Sequence, residues 1–287
     1  MSTAAGSATL GSATVGSATA LCGVILHPAL HTRSPAMHRA AYAFLGLDAV
    51  YVAFDVAPAR LPEAILGVRA LGLRQLSVSI PHKQAVMPFL DAVDGTAARI
   101  GAVNTVVRQG ERLVGHNTDW LGAVQALERE RELAGSHAVV LGAGGAARGV
   151  IFGLLQRGAD VTVLNRTPVR ARELARELGA SASGSLDELG AFPFDVLVNT
   201  TSVGLRSDAS PVAAEAIPKS ALVMDAVYEP EQTRLLRDAQ ARGARTLSGK
   251  WMLVLQAAEQ LRLWSGREAP VDVMADAFDR AGSATTR

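Results

Sequence analysis

Val139-Val140-Leu141-Gly142-Ala143-Gly144-Gly145-Ala146-Ala147-Arg148-Gly149 is an apolar run that enters a glycine-rich turn and leaves it as small, helix-compatible residues. The spacing is G-x-G-x-x-A: Gly142 permits the turn, Gly144 lets backbone approach a pyrophosphate, and Ala147 lets the helix pack closely on its strand. Val150, Ile151, Leu154 and Leu155 then recur at helical spacing, so the first N–H groups and the positive dipole end of that helix would face phosphates. Gly142, Ala143, Gly144, Gly145 and Ala146 are candidate cofactor contacts. The pattern alone also fits a turn in any parallel α/β unit, and the next strand weighs against that alternative.

Asp160-Val161-Thr162-Val163-Leu164 reads as that strand. It ends about 20 residues past the glycines, where a dinucleotide site reads the adenosine ribose. An NAD site favours a carboxylate there, but this chain has Asn165-Arg166-Thr167. A carboxylate would repel a 2′-phosphate, whereas Arg166 can pair with it in a planar, charge-assisted contact, with donors from Asn165 and Thr167. The expected cofactor is NADP.

The chain has 287 residues, is 49% hydrophobic and carries a formal net charge of +1, enough for two domains of ordinary size. The near-neutral charge lacks the footprint of a nucleic-acid binder, and no apolar run approaches a membrane span. A small-molecule substrate is the expected partner, with the protein a monomer or homodimer. The one cysteine, Cys22, excludes an internal disulfide and reads as a small apolar filler in a reducing compartment. The histidines lack paired ligand spacing, so no metal site is expected. Residues 1–20 repeat Gly-Ser-Ala-Thr at intervals of five, from Gly6, Gly11 and Gly16, and are expected to be a disordered tail. They match neither a secretory signal nor a transit peptide, so the expected location is cytoplasmic.

Leu21 to Leu26 reads as the first strand. Ser34 and Pro35 then suit the N-cap and first turn of a helix that runs to Gly46. Thr32 and Ser34, alternating around that helix start, also suit an anionic ligand. Val50 to Phe54 is a second strand, and Leu61, Ile65, Val68 and Leu71 mark a helix. In Leu76-Ser77-Val78-Ser79-Ile80 apolar residues and serines take opposite faces, and Pro81 stops the ladder before His82-Lys83. Lys83 therefore sits just past a strand's carboxyl end, where open α/β sheets keep their ligands, although a solvated loop lysine fits as well. Val103–Val107 and Arg112–His116 read as strands around a Gln109-Gly110 turn and lead to Asn117-Thr118-Asp119. Taken alone, Asp119 reads as the cap of the next helix. Asp195–Asn199 and Ala221–Asp225 are later strands, and Leu253, Ala257, Leu261 and Trp264 mark a final long helix.

This order of motifs resembles the shikimate dehydrogenase family over most of the chain, from about Cys22 to Trp264. Thr32-Arg33-Ser34 is similar to the family's S-x-S, and Ser77-Val78-Ser79-Ile80-Pro81-His82-Lys83 to its N-V-T-x-P-x-K. Ala102-Val103-Asn104-Thr105, Asn117-Thr118-Asp119, Gly142 to Ala146 and Asn165 to Thr167 continue the likeness. Asn199, Thr201, Ser202 and Gly204 follow, then Tyr228-Glu229-Pro230 with Thr233, and Gly249, Met252-Leu253 and Gln256. Thr32 stands for a serine, Ser77 for an asparagine and Ser79 for a threonine, and Lys250-Trp251 is bulky beside Gly249.

Strands alternate with helices on both sides of Asp119, so the chain reads as an α/β protein of two domains with a cleft between them, which the resemblance identifies as an N-terminal α/β substrate domain and a Rossmann dinucleotide-binding domain. The expected divisions are 21–118 for substrate and catalysis, completed by helices in 252–287, and 119–251 for NADP. The resemblance implies NADPH-dependent, reversible reduction of 3-dehydroshikimate to shikimate in aromatic amino-acid biosynthesis. A protonated Lys83 would stabilise the growing alkoxide and donate its proton, with Asp119 holding the ammonium. The ring carboxylate would meet Thr32 and Ser34, the ring hydroxyls Asn104, Asp119, Gln256, Ser79 and Tyr228. Asn199, Thr201 and Gly249 would border the nicotinamide, and Ser202 would also bind the cofactor. Two other readings share these residues: a quinate or aminoshikimate-type dehydrogenase, and a metabolite-binding regulator without turnover.

Overall fold

The computed structural model describes residues 15–29 and 32–285. The expected tail falls outside the described residues as far as residue 14. Its last repeat is ordered: Gly16 N donates to Thr19 Oγ1 (2.9 Å) and Thr19 N to Gly16 O (3.2 Å), and Thr19 is buried where the first strand begins.

The first half contains β1 (Ala20–Leu26), α1 (Ser34–Leu45), β2 (Ala49–Asp55), α2 (Leu61–Ala70), β3 (Gln75–Val78), β4 (Ala92–Val93), α3 (Gly95–Ile100), β5 (Thr105–Gln109) and β6 (Arg112–His116). They form one six-stranded sheet in the order β2-β1-β3-β5-β6-β4. The first three strands in this order are parallel, and β5 runs against both of its neighbours. α2 covers one face, burying Leu61, Ile65 and Val68 against Leu76 and Val78. Ser77 points to the opposite face, which is also buried, so the alternation of apolar residues and serines marks two covered faces. β3 is shorter than expected and ends at Val78: Ser79 N still reaches Ile25 O (2.9 Å), but Pro81 has no N–H to extend the ladder. β5 likewise starts at Thr105, later than Val103.

The second half contains α4 (Asp119–Glu128), β7 (His137–Leu141), α5 (Gly145–Gln156), β8 (Asp160–Leu164), α6 (Pro168–Leu178), β9 (Ala182–Gly184), β10 (Val196–Asn199), β11 (Leu222–Asp225), α7 (Arg234–Ala241) and β12 (Arg245–Leu247). Its six parallel strands lie in the order β12-β11-β10-β7-β8-β9. This is the doubly wound arrangement, whose strand order reverses between β7 and β10 and leaves a crevice beyond their carboxyl ends. Ala138 and Val140 pack on one side with α5, Val139 and Leu141 on the other with α7. A strand buried on both faces is continuously apolar, which is why β7 stands out in the sequence.

α8 (Gly249–Ser265) and α9 (Val271–Thr285) return to the first sheet. Val254, Ala257, Leu261, Met274, Ala275 and Phe278 share a core with Cys22, Val24, Met37, Ala41 and Tyr42. α4 bridges the halves by packing between α5 and α8. Glycines make that close approach possible: a Cβ on Gly122 would lie 2.7 Å from Met252 O, and one on Gly153 would lie 2.9 Å from Trp120 O. Among the described residues no helix is long and apolar enough to cross a membrane.

Candidate active site

Lys83 and Asp119, distant in the chain, meet between the two sheets. Lys83 follows the turn that ends β3, and its carbonyl accepts from Val103 N at 2.7 Å. Its side chain lies against the start of α5, where a Cβ on Gly145 would be 2.9 Å from Lys83 Cβ. Asp119 is the first residue of α4. It is not the cap expected from sequence: Asn117 Oδ1 accepts from Asp119 N at 3.0 Å, and this frees the Asp119 carboxylate. Lys83 Nζ donates to Asp119 Oδ2 at 2.6 Å, with the two side chains 15% and 5% exposed. Asp119 Oδ1 accepts from Asn104 Nδ2 at 2.9 Å. Two charges so sheltered cost desolvation, and this geometry offsets part of it because the pair is close and the second carboxylate oxygen is hydrogen-bonded as well.

Two cavities meet at this pair. A cleft of about 530 Å³ contains Gly144, Gly145 and Ala146 from the start of α5, and Thr200, Thr201 and Ser202 from the loop after β10. It occupies the crevice at the strand-order reversal. A smaller cavity of about 160 Å³ is lined by Ser34, Asn104, Asp119, Gly249, Met252 and Gln256, among others. Thr32, Ser79, Lys83, Ala146, Ala226 and Tyr228 line both. The ammonium of Lys83 thus stands at the passage between a long groove and a small polar chamber.

Of the expected substrate contacts, Thr32, Ser34, Ser79, Asn104, Tyr228 and Gln256 all reach the smaller cavity. Ser34 differs from its expected capping role: the cap position is Arg33, Ser34 is the first residue of α1, and no side chain caps that helix. Thr32 Oγ1 accepts from Ser34 N at 3.3 Å. Burial pushes the Tyr228 phenol up, opposed by its hydrogen bond to Thr32. Between them, Arg33 turns away from the chamber, pairs with Glu229 at 2.5 Å and stacks on Phe278.

The expected cofactor contacts divide. Gly144, Gly145, Ala146, Thr201 and Ser202 line the cleft, but Gly142 and Ala143 do not. Gly142 has a φ of +113° and its N donates to Leu164 O at 2.8 Å, so it shapes the turn. Gly249 lies on the wall of the smaller cavity instead. Asn199 was expected at the nicotinamide, yet it is fully buried and lines neither cavity. Its Nδ2 donates to Asp225 Oδ1 (2.9 Å) and its Oδ1 accepts from Thr201 N (3.0 Å) and Oγ1 (2.7 Å), so it braces the loop that forms the cleft wall. Asp225 is itself buried, and that burial pushes its carboxyl up to about 6 against the bonds from Thr233, Val227 and Asn199. Asn165 Nδ2 donates to Thr167 O at 3.0 Å, closing a turn at the end of β8 rather than reaching outward. Arg166 and Thr167 are exposed and line neither cavity, and Arg166 has no acidic partner among the described residues.

The sequence reading missed Asn117, Thr118 and Gln260. Asn117 and Thr118 belong to a quoted motif and position their neighbours: Thr118 N donates to Asn104 Oδ1 at 2.8 Å. Gln260 lines the smaller cavity one helical turn after Gln256, and that spacing was the available signal. Among the described residues no group of three or more His, Cys, Asp or Glu side chains is placed to hold a metal ion.

Comparison with known proteins agrees with this geometry. Residues 24–106 match the model of the shikimate dehydrogenase substrate binding domain, 124–208 that of shikimate / quinate 5-dehydrogenase, and 249–277 that of the shikimate 5′-dehydrogenase C-terminal domain. The shikimate dehydrogenase (NADP(+)) of Thermococcus kodakarensis is 48% identical over 86% of this chain and 91% of its own length. That of Methanothermobacter thermautotrophicus is 45% identical over 90% and 95%. The crystal structure of shikimate 5-dehydrogenase from Thermus thermophilus, in complex with NADP(H) and shikimate, superposes with a TM-score of 0.86. It is 42% identical, with 92% of this chain and 100% of that chain covered. The sheltered ammonium–carboxylate pair, the doubly wound second sheet and these matches together place the chain in the shikimate dehydrogenase family.

Proposed function

We propose that this chain catalyses the reversible, NADP-dependent interconversion of 3-dehydroshikimate and shikimate, with Lys83 as proton donor and Asp119 as the group that holds it. The observation that carries the reading is the 2.6 Å Lys83–Asp119 pair at the meeting point of the two cavities. NADPH supplies a hydride when bound. The chain supplies the rest: as negative charge develops on the carbonyl oxygen, Lys83 Nζ stabilises it and gives up a proton, and in the reverse direction a neutral Lys83 takes one back. Asp119 Oδ2 fixes the ammonium, and Asn104 fixes the other carboxylate oxygen.

The cleft fits a dinucleotide by its own chemistry. Its glycine turn opens a helix whose N-terminal N–H groups and dipole suit a pyrophosphate, and Arg166 stands unpaired nearby for a 2′-phosphate. In the smaller chamber Thr32 and Ser34 take a ring carboxylate at the start of α1, and Ser79, Asn104, Tyr228 and Gln256 take ring hydroxyls. The division that goes with these roles is 21–118 plus 252–287 for substrate, and 119–251 for the nucleotide. The same reading puts the enzyme in the cytoplasm, where buried Cys22 stays a free thiol, as a monomer or homodimer.

Purified protein mixed with NADP⁺ and shikimate should raise the absorbance of reduced nicotinamide. NADP⁺ should outperform NAD⁺, and Arg166→Ala should narrow that gap. No absorbance change with shikimate would overturn the reading.

A further inference from the structure

Ser77, which stands where the family has asparagine, faces the smaller cavity, yet its hydroxyl is already full. Its oxygen accepts from Tyr51 OH at 2.6 Å and Gln75 Nε2 at 3.0 Å, and its hydrogen goes to Gln260 Oε1 at 2.7 Å. A hydroxyl has one hydrogen and two lone pairs, so Ser77 has nothing left for a ligand. What it does is hold Gln260, which is 2% exposed.

The direction of every bond in this network follows from one backbone group. Thr118 N can only donate, so Asn104 presents Oδ1 to it (2.8 Å) and Nδ2 to the other side. Asn104 Nδ2 reaches Gln256 at 3.0 Å, so the Gln256 atom there is Oε1. Gln260 meets that same oxygen at 2.8 Å and must present Nε2, which leaves its Oε1 for Ser77. Gln256 Oε1 therefore takes amide donors from two residues, with the Thr118 hydroxyl also within reach at 3.4 Å. Turning the Gln256 amide over would set its own N–H groups against both. One Nε2 hydrogen of Gln256 goes to Leu253 O at 3.1 Å. The other has no acceptor among the described residues, and Gln256 lines the cavity.

We infer that Gln260, anchored by Ser77, is a positioning residue that locks the Gln256 amide with an N–H toward the substrate, so that a ring hydroxyl oxygen is read there as an acceptor. The inference rests on the site assignment proposed above and adds a specificity device to it. Ser77 acts from the chamber wall through Gln260 and, with its hydroxyl fully used, is not a substrate contact.

The test compares Gln260→Met, which keeps length and removes both polar atoms, with Gln260→Glu, which sets a carboxylate oxygen against Gln256 Oε1. One hydrogen bond of orientation is worth roughly tenfold in affinity. KM for shikimate should rise about tenfold in Gln260→Met and further in Gln260→Glu, while KM for NADP⁺ stays within about twofold. Shikimate analogues lacking one non-reacting ring hydroxyl should be discriminated strongly by the unmodified enzyme and weakly by Gln260→Met. If Gln260→Met does not fold, Ser77→Ala carries the test, with a smaller rise in the same KM. An unchanged KM for shikimate, equal rises for shikimate and NADP⁺, or undiminished discrimination would overturn the inference. Failure of the unmodified chain to oxidise shikimate would instead overturn the function.

Discussion

At the residue scale the same side-chain type takes opposite roles according to what surrounds it. His38 is fully buried on α1, stacked on Tyr51 at 4.1 Å, and burial pushes its imidazole down to about 3. The folded protein thus keeps His38 neutral at pH values where the unfolded chain protonates it. Its contribution to stability is present above the unfolded pKa of 6.5 and is lost as pH falls toward 3. Asp225 runs the other way: with its carboxyl raised to about 6, it contributes most below 3.8 and loses that contribution as pH rises through 6. The two slopes oppose each other between pH 4 and 6. His38→Phe, which keeps a ring against Tyr51, should flatten the acid loss: unfolding free energies from urea titrations at pH 4 and pH 7 should lie closer together than in the parent, by an amount on the order of 3 kcal/mol. An unchanged gap would mean that His38 is charged in the fold. Lys83 was suggestive, as a cation just past a strand end, but a solvated loop lysine was the safer reading of that residue alone, and the order of motifs carried its assignment. Asp119 was ambiguous, since a carboxylate at a helix start serves as a cap or as a partner. Only the structure decides between them: Thr118 holds the cap position, Asn117 Oδ1 accepts from Asp119 N, and the Asp119 carboxylate is left for Lys83.

At the scale of elements, strands buried on both faces were the easiest to read, β7, β10 and β11 above all. Their apolar runs are short, continuous and bounded by turn residues. The two-residue β4 and the six-residue α3 carry too little pattern to register. Asn199 and Gly142 sit in recognisable motifs, but a motif does not say which of its residues face a ligand and which hold the loop. The contact of α4 with α8 was invisible because it depends on what is missing from Gly122. A Cβ there would lie 2.7 Å from Met252 O and 2.8 Å from Gln256 N, both rigid backbone atoms. Gly122→Ala should force these helices apart, destabilise the protein by about 1–3 kcal/mol and lower turnover, because Asp119 and Gln256 ride on the two helices. Thermal unfolding and steady-state rates measured together would check this. A variant with unaltered melting and rate would show that the helices have room to spare.

For the whole molecule, the α/β class and the doubly wound half followed from the strand–turn–helix patterns. The return of α8 and α9 to the first sheet came only from the family resemblance, since helical periodicity does not name its partner. The outcome is a site assembled from distant segments: Lys83 from the first sheet, Asp119 from the bridging helix, Gln256 from the returning helix and the glycine turn from the second sheet. Proton transfer at Lys83 is the central claim, and Lys83→Met tests it most directly by keeping most of the side-chain stem and removing the charge. Turnover of shikimate with NADP⁺ should fall by about 10²–10⁴-fold, the usual worth of an acid–base group, while NADPH titrates the variant with nearly the parent affinity. Turnover retained within about tenfold, with NADPH binding intact, would contradict the account.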